Sequence, residues 1–253
     1  MTNDTGFRTR VALSSWQRAI VRPLVSLFYG GTLPTRLSWS TAPDEPAGVV
    51  PGPDPDRVLV IGGIAGAGVG VRSHKLGVAS TLSQALSRAS GRGAEWRNVP
   101  IGMGRVGQTA AALQERVDLR RYDVIVFFPG VYEALHLSSP TRWAREYESV
   151  LQHLTEHAAS DATIVTSPVP HVSDRVKVPA IIRAFVREHT RVLNLGAERI
   201  AAQYPGVVFT AMPAIDARMM AGDLFSYAKL YRIWGSHLAA LVVEERGLHT
   251  GRQ

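Results

Sequence analysis

The segment Val124–Phe128 contains only apolar residues. A strand of that kind is buried on both faces, which is the habit of a parallel sheet covered by helices. The surrounding pattern agrees. Val58–Ile61 is another apolar strand, and Leu76–Ala89 follows with helical spacing. Glu95–Ile101 reads as a strand and Gln108–Val117 as a helix. After Val124–Phe128 come a helix at Arg142–Ala158, a strand at Thr163–Thr166 and a helix at Ala180–Gln203. Val207–Met212 is the last strand and Leu230–Glu245 the last helix. Strands and helices in strict alternation predict a doubly wound α/β sheet with helices on both faces. In such sheets ligands bind at the carboxyl ends of the strands. The informative residues are therefore those that follow each strand.

The first such loop is Gly62-Gly63-Ile64-Ala65-Gly66-Ala67-Gly68-Val69-Gly70. The second is Gly102-Met103-Gly104-Arg105-Val106-Gly107-Gln108-Thr109. The third is Pro129-Gly130-Val131-Tyr132-Glu133-Ala134-Leu135. Asp223-Leu224-Phe225-Ser226-Tyr227 precedes the last helix. This layout, with the run Leu137 to Trp143 after the third block, resembles the SGNH/GDSL hydrolases over about Arg57 to Glu245. The resemblance implies a three-layer α/β/α, flavodoxin-like fold with a five-stranded parallel sheet. It also implies esterase, lipase or acyltransferase chemistry on acyl esters.

The residues at the family's catalytic positions depart from that chemistry. Ile64 stands at the position of the nucleophilic serine, and Gly63 at that of the preceding aspartate. Tyr132 replaces the asparagine that would donate to the oxyanion, and Ser226 stands where the histidine is expected. Gly107, whose backbone N–H would serve the oxyanion hole, is retained. So are Gly130 and Asp223, the latter in the position that orients the histidine. Triad members act as a unit, and losing one costs orders of magnitude in rate. Two readings follow. One is a non-catalytic SGNH-fold protein that binds an acyl or carbohydrate ligand, or a partner, at Gly63, Ile64, Gly107, Gly130, Tyr132, Asp223 and Ser226. The other is a divergent esterase or acyltransferase with a relocated site. His136 and His171, with Ser138, Ser139 and Ser167, lie near strand ends and are candidates for the second. The simpler reading of the retained residues is structural: glycines for tight turns, and Asp223 as a helix cap.

Gly102 to Gly107 also matches the dinucleotide-binding pattern between a strand and a helix. It follows the second strand rather than the first. The acidic residue expected about 20 residues later is missing, because the next strand ends Phe127-Phe128-Pro129. No cofactor is expected. The chain has no cysteine, so thiol nucleophiles and cysteine–metal sites are excluded. No phosphate-binding loop and no histidine–carboxylate cluster with metal spacing is present.

Of the 253 residues, 28 are Lys or Arg and 21 Asp or Glu, a net charge of +7. Lys75, Lys177 and Lys229 are the only lysines, so the positive charge is carried by arginine. No basic run or nucleic-acid motif accompanies it, and no nucleic acid is expected. The uncharged, glycine-rich stretch Val58 to Val71 is shorter than the roughly 20 residues a membrane span needs.

Residues 1–40 are basic. Leu13, Trp16, Ile20, Leu24 and Leu27 line one face of an amphipathic helix over Val11–Phe28, with Arg10, Arg18 and Arg22 on another and a kink at Pro23. Residues 10–28 could meet an anionic membrane surface, bind a protein partner, or pack on their own domain. Arg18 and Arg22 interrupt the apolar region, so a cleavable signal peptide is not expected. The expected location is cytoplasmic, with peripheral membrane contact through this helix as a variant. Residues 41–56 carry five prolines and four acidic residues and read as an extended linker. The SGNH-like domain is expected over 57–246, with a tail at 247–253.

Overall fold

The computed structural model describes residues 41–101, 105–170, 179–214, 220–221 and 224–247, with Pro23 alone among the first forty. The expected N-terminal helix, the tail beyond Gly247, Asp223 and His171 lie outside the described residues.

In chain order the elements are β1 (Ala47–Val50), β2 (Asp56–Gly62), α1 (Val78–Ser90), β3 (Ala94–Pro100), α2 (Thr109–Gln114) and β4 (Val124–Phe128). Then follow α3 (Tyr132–Leu135), α4 (Pro140–His157), β5 (Thr163–Thr166), α5 (Ala180–Ala201) and β6 (Val207–Phe209). The short strands β7 (Met220–Ala221) and β8 (Leu224–Phe225) pair with each other, and α6 (Tyr227–Glu245) closes the domain.

The central sheet has the order β1-β3-β2-β4-β5-β6. The five strands β3-β2-β4-β5-β6 are parallel and form the expected flavodoxin-like core. A sixth strand corrects the expectation for residues 41–56. β1 pairs antiparallel with β3, from Ala47 opposite Arg97 to Val50 opposite Ala94. The linker reading misjudged this segment because prolines are excluded only from central strands. Here Pro46 and Pro51 flank a four-residue edge strand, where a missing donor is tolerated. The same segment is tied down elsewhere. The Ala42 N–H donates to Gly68 O at 3.2 Å, and the Asp44 carboxylate accepts from Ser73 Oγ (2.7 Å) and from the His74 N–H (2.8 Å). These bonds hold Asp44 below its usual carboxylate range.

Alternate residues of β2 and β4 feed two cores. Val58, Val60, Val124, Val126 and Phe128 face Leu82, Leu86, Leu230, Trp234 and Leu238 of α1 and α6. Leu59, Ile61, Ile125 and Phe127 face Trp143, Tyr147, Leu151 and Leu193 of α4 and α5. This two-sided burial is why the strands read as unbroken apolar runs.

Local chemistry sets the helix ends. The Ser139 hydroxyl accepts from the Arg142 N–H, and Pro140 occupies the first turn of α4. Gly91 ends α1 in a left-handed conformation (φ 73°), donating its N–H to Ser87 O. Two elements differ from expectation. The helix predicted at Gln108–Val117 is a 3-10 turn at Val106–Gln108 followed by the six-residue α2. The strand predicted to reach Met212 ends at Phe209.

At the amino ends of the strands, Asp56 is 1 % exposed and accepts from Arg246 Nη1 at 3.0 Å. Arg246 also donates to Thr163 Oγ1 (3.2 Å) and to Asp123 O. The last residues of the domain are thereby clamped to the first residues of β2, β4 and β5.

Candidate functional site

The carboxyl ends of β3 and β4 open onto a cleft of about 410 Å³. Arg105, Gly107 and Gln108 come from the segment after β3, Tyr132 from the start of α3, and Arg142 and Glu146 from the first turns of α4. A second hollow, about 500 Å³, shares Gly107, Arg142 and Glu146 and adds Arg145 and Ser149. Together they form one trough along α4. Arg142, Arg145, Glu146 and Ser149 recur at the three- and four-residue spacing of one helix face, while Trp143, Tyr147, Val150 and Leu151 occupy the buried face.

Gly107 is exposed at the floor of this trough. A Cβ there would lie 2.8 Å from Glu146 Cδ, so the glycine permits the Glu146 side chain to lie across it. Glu146 is in turn held by Arg142, Nε to Oε1 at 2.6 Å. Arg105 sits over the Tyr132 ring at 5.9 Å from its centroid. His136 stacks on Tyr132 with centroids 3.9 Å apart and bonds through Nδ1 to Tyr132 O at 2.9 Å. That packing accounts for His136, one of the histidines considered for a relocated site.

Behind Tyr132 lies Glu133, 1 % exposed. Its Oε1 accepts the Val106 N–H at 2.7 Å, tying the loop after β4 to the turn that carries Gly107. Oε2 has no partner among the described residues. Burial pushes this carboxyl up to about 7, with the Val106 N–H opposing the rise.

The residues expected at the site divide into two groups. Gly107 and Tyr132 line the cleft together. Ile64 does not line it; its side chain packs against the α4–α5 core, and its carbonyl accepts from the Val69 N–H at 3.2 Å and the Tyr231 hydroxyl at 3.4 Å. Gly63 is buried in the same turn, its carbonyl accepting from Ala67 N–H. Gly130 is half-buried in the loop after β4. Ser226 caps α6, its hydroxyl accepting from the Lys229 N–H at 3.3 Å. The sequence reading missed Arg105, Gln108, Arg142, Arg145, Glu146 and Ser149 as lining residues. The face periodicity of α4 was the available signal for the last four.

Hydroxyls near the strand ends are engaged. Ser167 Oγ donates to Pro168 O, and Ser139 caps α4. Thr210 Oγ1 lies 2.8 Å from His237 Nε2, a hydroxyl–imidazole pair at the end of β6. Thr210 is only 7 % exposed, and neither residue lines the trough. No group of three or more histidines and carboxylates converges to hold a metal among the described residues. No described helix is long and apolar enough to cross a membrane.

No family model and no curated protein sequence matches this chain. Solved structures match its fold. A family two carbohydrate esterase from Clostridium thermocellum, in complex with cellohexaose, superposes with a TM-score of 0.52 at 14 % identity over 78 % of this chain. This chain spans 66 % of that protein. TesA superposes with a TM-score of 0.55 at 14 % identity, covering 75 % of this chain and 99 % of its own. Axe2, an acetylxylan esterase from Geobacillus stearothermophilus, reaches 0.52 at 15 % identity over 80 % and 98 %. The chain has the fold of SGNH/GDSL-type esterases.

Proposed function

We propose that this SGNH-fold chain binds a carbohydrate-like ligand in the Arg105–Tyr132–Glu146 cleft and does not hydrolyse esters. The observation that carries the reading is the contrast between Ile64 and the cleft. The loop after β2 holds at Ile64 a half-buried side chain with no nucleophilic atom, packed against the core. The cleft keeps Gly107 and Tyr132 and is walled by guanidinium, amide, phenol and carboxylate groups. A serine ester hydrolase needs a hydroxyl and a base in contact. A polyhydroxylated ligand needs convergent donors and acceptors instead. The polar walls favour a carbohydrate over the alkyl chain that Ile64 and Tyr132 alone would suit. The cellohexaose held by the Clostridium esterase supports the same ligand class.

The test pairs two measurements on folded full-length protein. Fluorophosphonate labelling with turnover of p-nitrophenyl esters is expected to give neither label nor product. Titration with cello- and xylo-oligosaccharides is expected to saturate and to weaken in Tyr132→Ala. A labelled residue with turnover would overturn the binding reading in favour of a divergent esterase or acyltransferase. Mapping the label would then show whether Thr210 is the nucleophile.

A second proposal concerns residues 10–28. Their basic amphipathic pattern supports contact with an anionic membrane surface or a protein partner, which keeps the chain peripheral to the membrane. Co-sedimentation with phosphatidylserine vesicles, compared between full-length protein and a chain lacking residues 1–40, tests the first. Equal sedimentation of the two would remove it.

A further inference from the structure

The charges along the trough do not balance. Arg105, Arg142 and Arg145 face it with Glu146 as the one carboxylate on its walls. Glu146 is bound to Arg142 through Nε, and the Arg142 terminal nitrogens have no partner among the described residues. Arg105 touches the Tyr132 ring, and Arg105 and Arg145 have no ion pair among the described residues. Elsewhere in the domain an exposed arginine does pair along its helix, Arg191 with Glu188 at 2.6 Å. The trough instead spans two joined hollows with an excess of two guanidinium groups.

We propose that the ligand of this trough is anionic: a carbohydrate bearing carboxylate or phosphate groups, gripped by Arg105, Arg142 and Arg145 around Gly107. The inference rests on the proposed function, since it names the chemical class of the ligand of that same cleft. Guanidinium is suited to this task because its planar fork meets both oxygens of a carboxylate or phosphate. The donors sit on both sides of the trough. Arg105 comes from the segment after β3, and Arg142 and Arg145 come from one face of α4. Glu146 shapes selectivity. It neutralises Arg142 in part and supplies an acceptor for sugar hydroxyls, so a compact anion alone meets only part of the site. A neutral sugar leaves two guanidinium groups without a counter-charge.

The test titrates full-length protein by calorimetry with an oligogalacturonate, with cellohexaose, and with inorganic phosphate, at low and at 0.5 M salt. The oligogalacturonate is expected to bind at least tenfold more tightly than cellohexaose and to weaken at high salt. Arg145→Ala and Arg105→Ala, both exposed side chains, are each expected to weaken it about fivefold, as for loss of one charge-assisted contact near a surface. Cellohexaose affinity should fall by a smaller factor than oligogalacturonate affinity in both variants. If both sugars bind alike and the arginine variants change neither, the anionic class is overturned and the binding function stands. If phosphate binds as tightly as the oligogalacturonate and cellohexaose not at all, the anion site is supported and its carbohydrate source is overturned. If none of the three binds to folded protein, both readings fall.

Discussion

Glu133 Oε1 accepts the Val106 N–H at 2.7 Å, so a buried carboxyl in the loop after β4 positions the turn that follows β3. Both loops line the candidate site. The bond spans 27 residues of sequence and couples Tyr132, next to Glu133, with Gly107, next to Val106.

The ionisation of Glu133 makes stability depend on pH. Its carboxyl titrates at about 7 when folded, against 4.5 ordinarily, because burial disfavours the charge. The folded chain holds the proton more tightly, so this contribution is greatest below pH 4.5 and is lost as pH rises toward 7. The span corresponds to something on the order of 3 kcal/mol. His74, whose pKa burial lowers, acts in the opposite direction below 6.5. The difference between wild type and Glu133→Gln isolates the carboxyl. Urea unfolding at several pH values should show the variant gaining on wild type from pH 5 to 8. A constant difference across that range would refute the assignment.

Arg246→Ala should destabilise the domain more than a surface change does. It strips Asp56, 1 % exposed, of its 3.0 Å partner and leaves Thr163 Oγ1 and Asp123 O with one donor fewer. Breaking a buried pair costs about 3–5 kcal/mol. Arg92 Nη2, at 3.5 Å from the same carboxylate, should hold the loss to the lower end. Thermal and urea unfolding would measure it, and a loss below about 0.5 kcal/mol, the size of an ordinary surface effect, would contradict the clamp.

Gly235→Ala tests the contact between α1 and α6. A Cβ at Gly235 would sit 2.4 Å from Thr81 Oγ1 and 2.6 Å from Leu82 N. Thr81 Oγ1 cannot retreat freely, because it donates to Tyr231 O at 2.7 Å. The helices must separate, at about 1–3 kcal/mol or more. Because Tyr231 also donates to Val69 O at 2.9 Å, the glycine-rich loop should loosen too. Faster hydrogen exchange at residues 63–70 in the variant is the expected signature.

Ile64→Ser places a hydroxyl at the position where the sequence resemblance expects the nucleophile. It should produce no ester turnover and no fluorophosphonate label, since a serine without a base is inert near neutral pH. Ser226, at the histidine position, is occupied as the cap of α6. Labelled Ser at position 64 would reveal a base that the described residues do not show.

Much of the architecture was legible in the chain alone. The apolar runs 58–61 and 124–128 carry their own evidence of burial on both faces, and the alternation of strands with helical spacing leaves one fold class. β1 was not legible. A four-residue edge strand between prolines has no periodicity to detect, and its pairing with β3 is non-local. Two residues expected at the site from their motif positions, Gly107 and Tyr132, line one cleft. Arg145 and Glu146 of the same trough belong to no motif.

The sequence by itself determined which strands form the sheet core, because burial on both faces is a property of residue type and local order. Only the tertiary structure decided that Ile64 packs against the core while Arg105, Tyr132, Arg142 and Glu146 converge on one trough. Convergence depends on how two loops and a helix are set against each other by the sheet between them. That arrangement depends on distant contacts, Glu133 with Val106 among them, that no local pattern encodes.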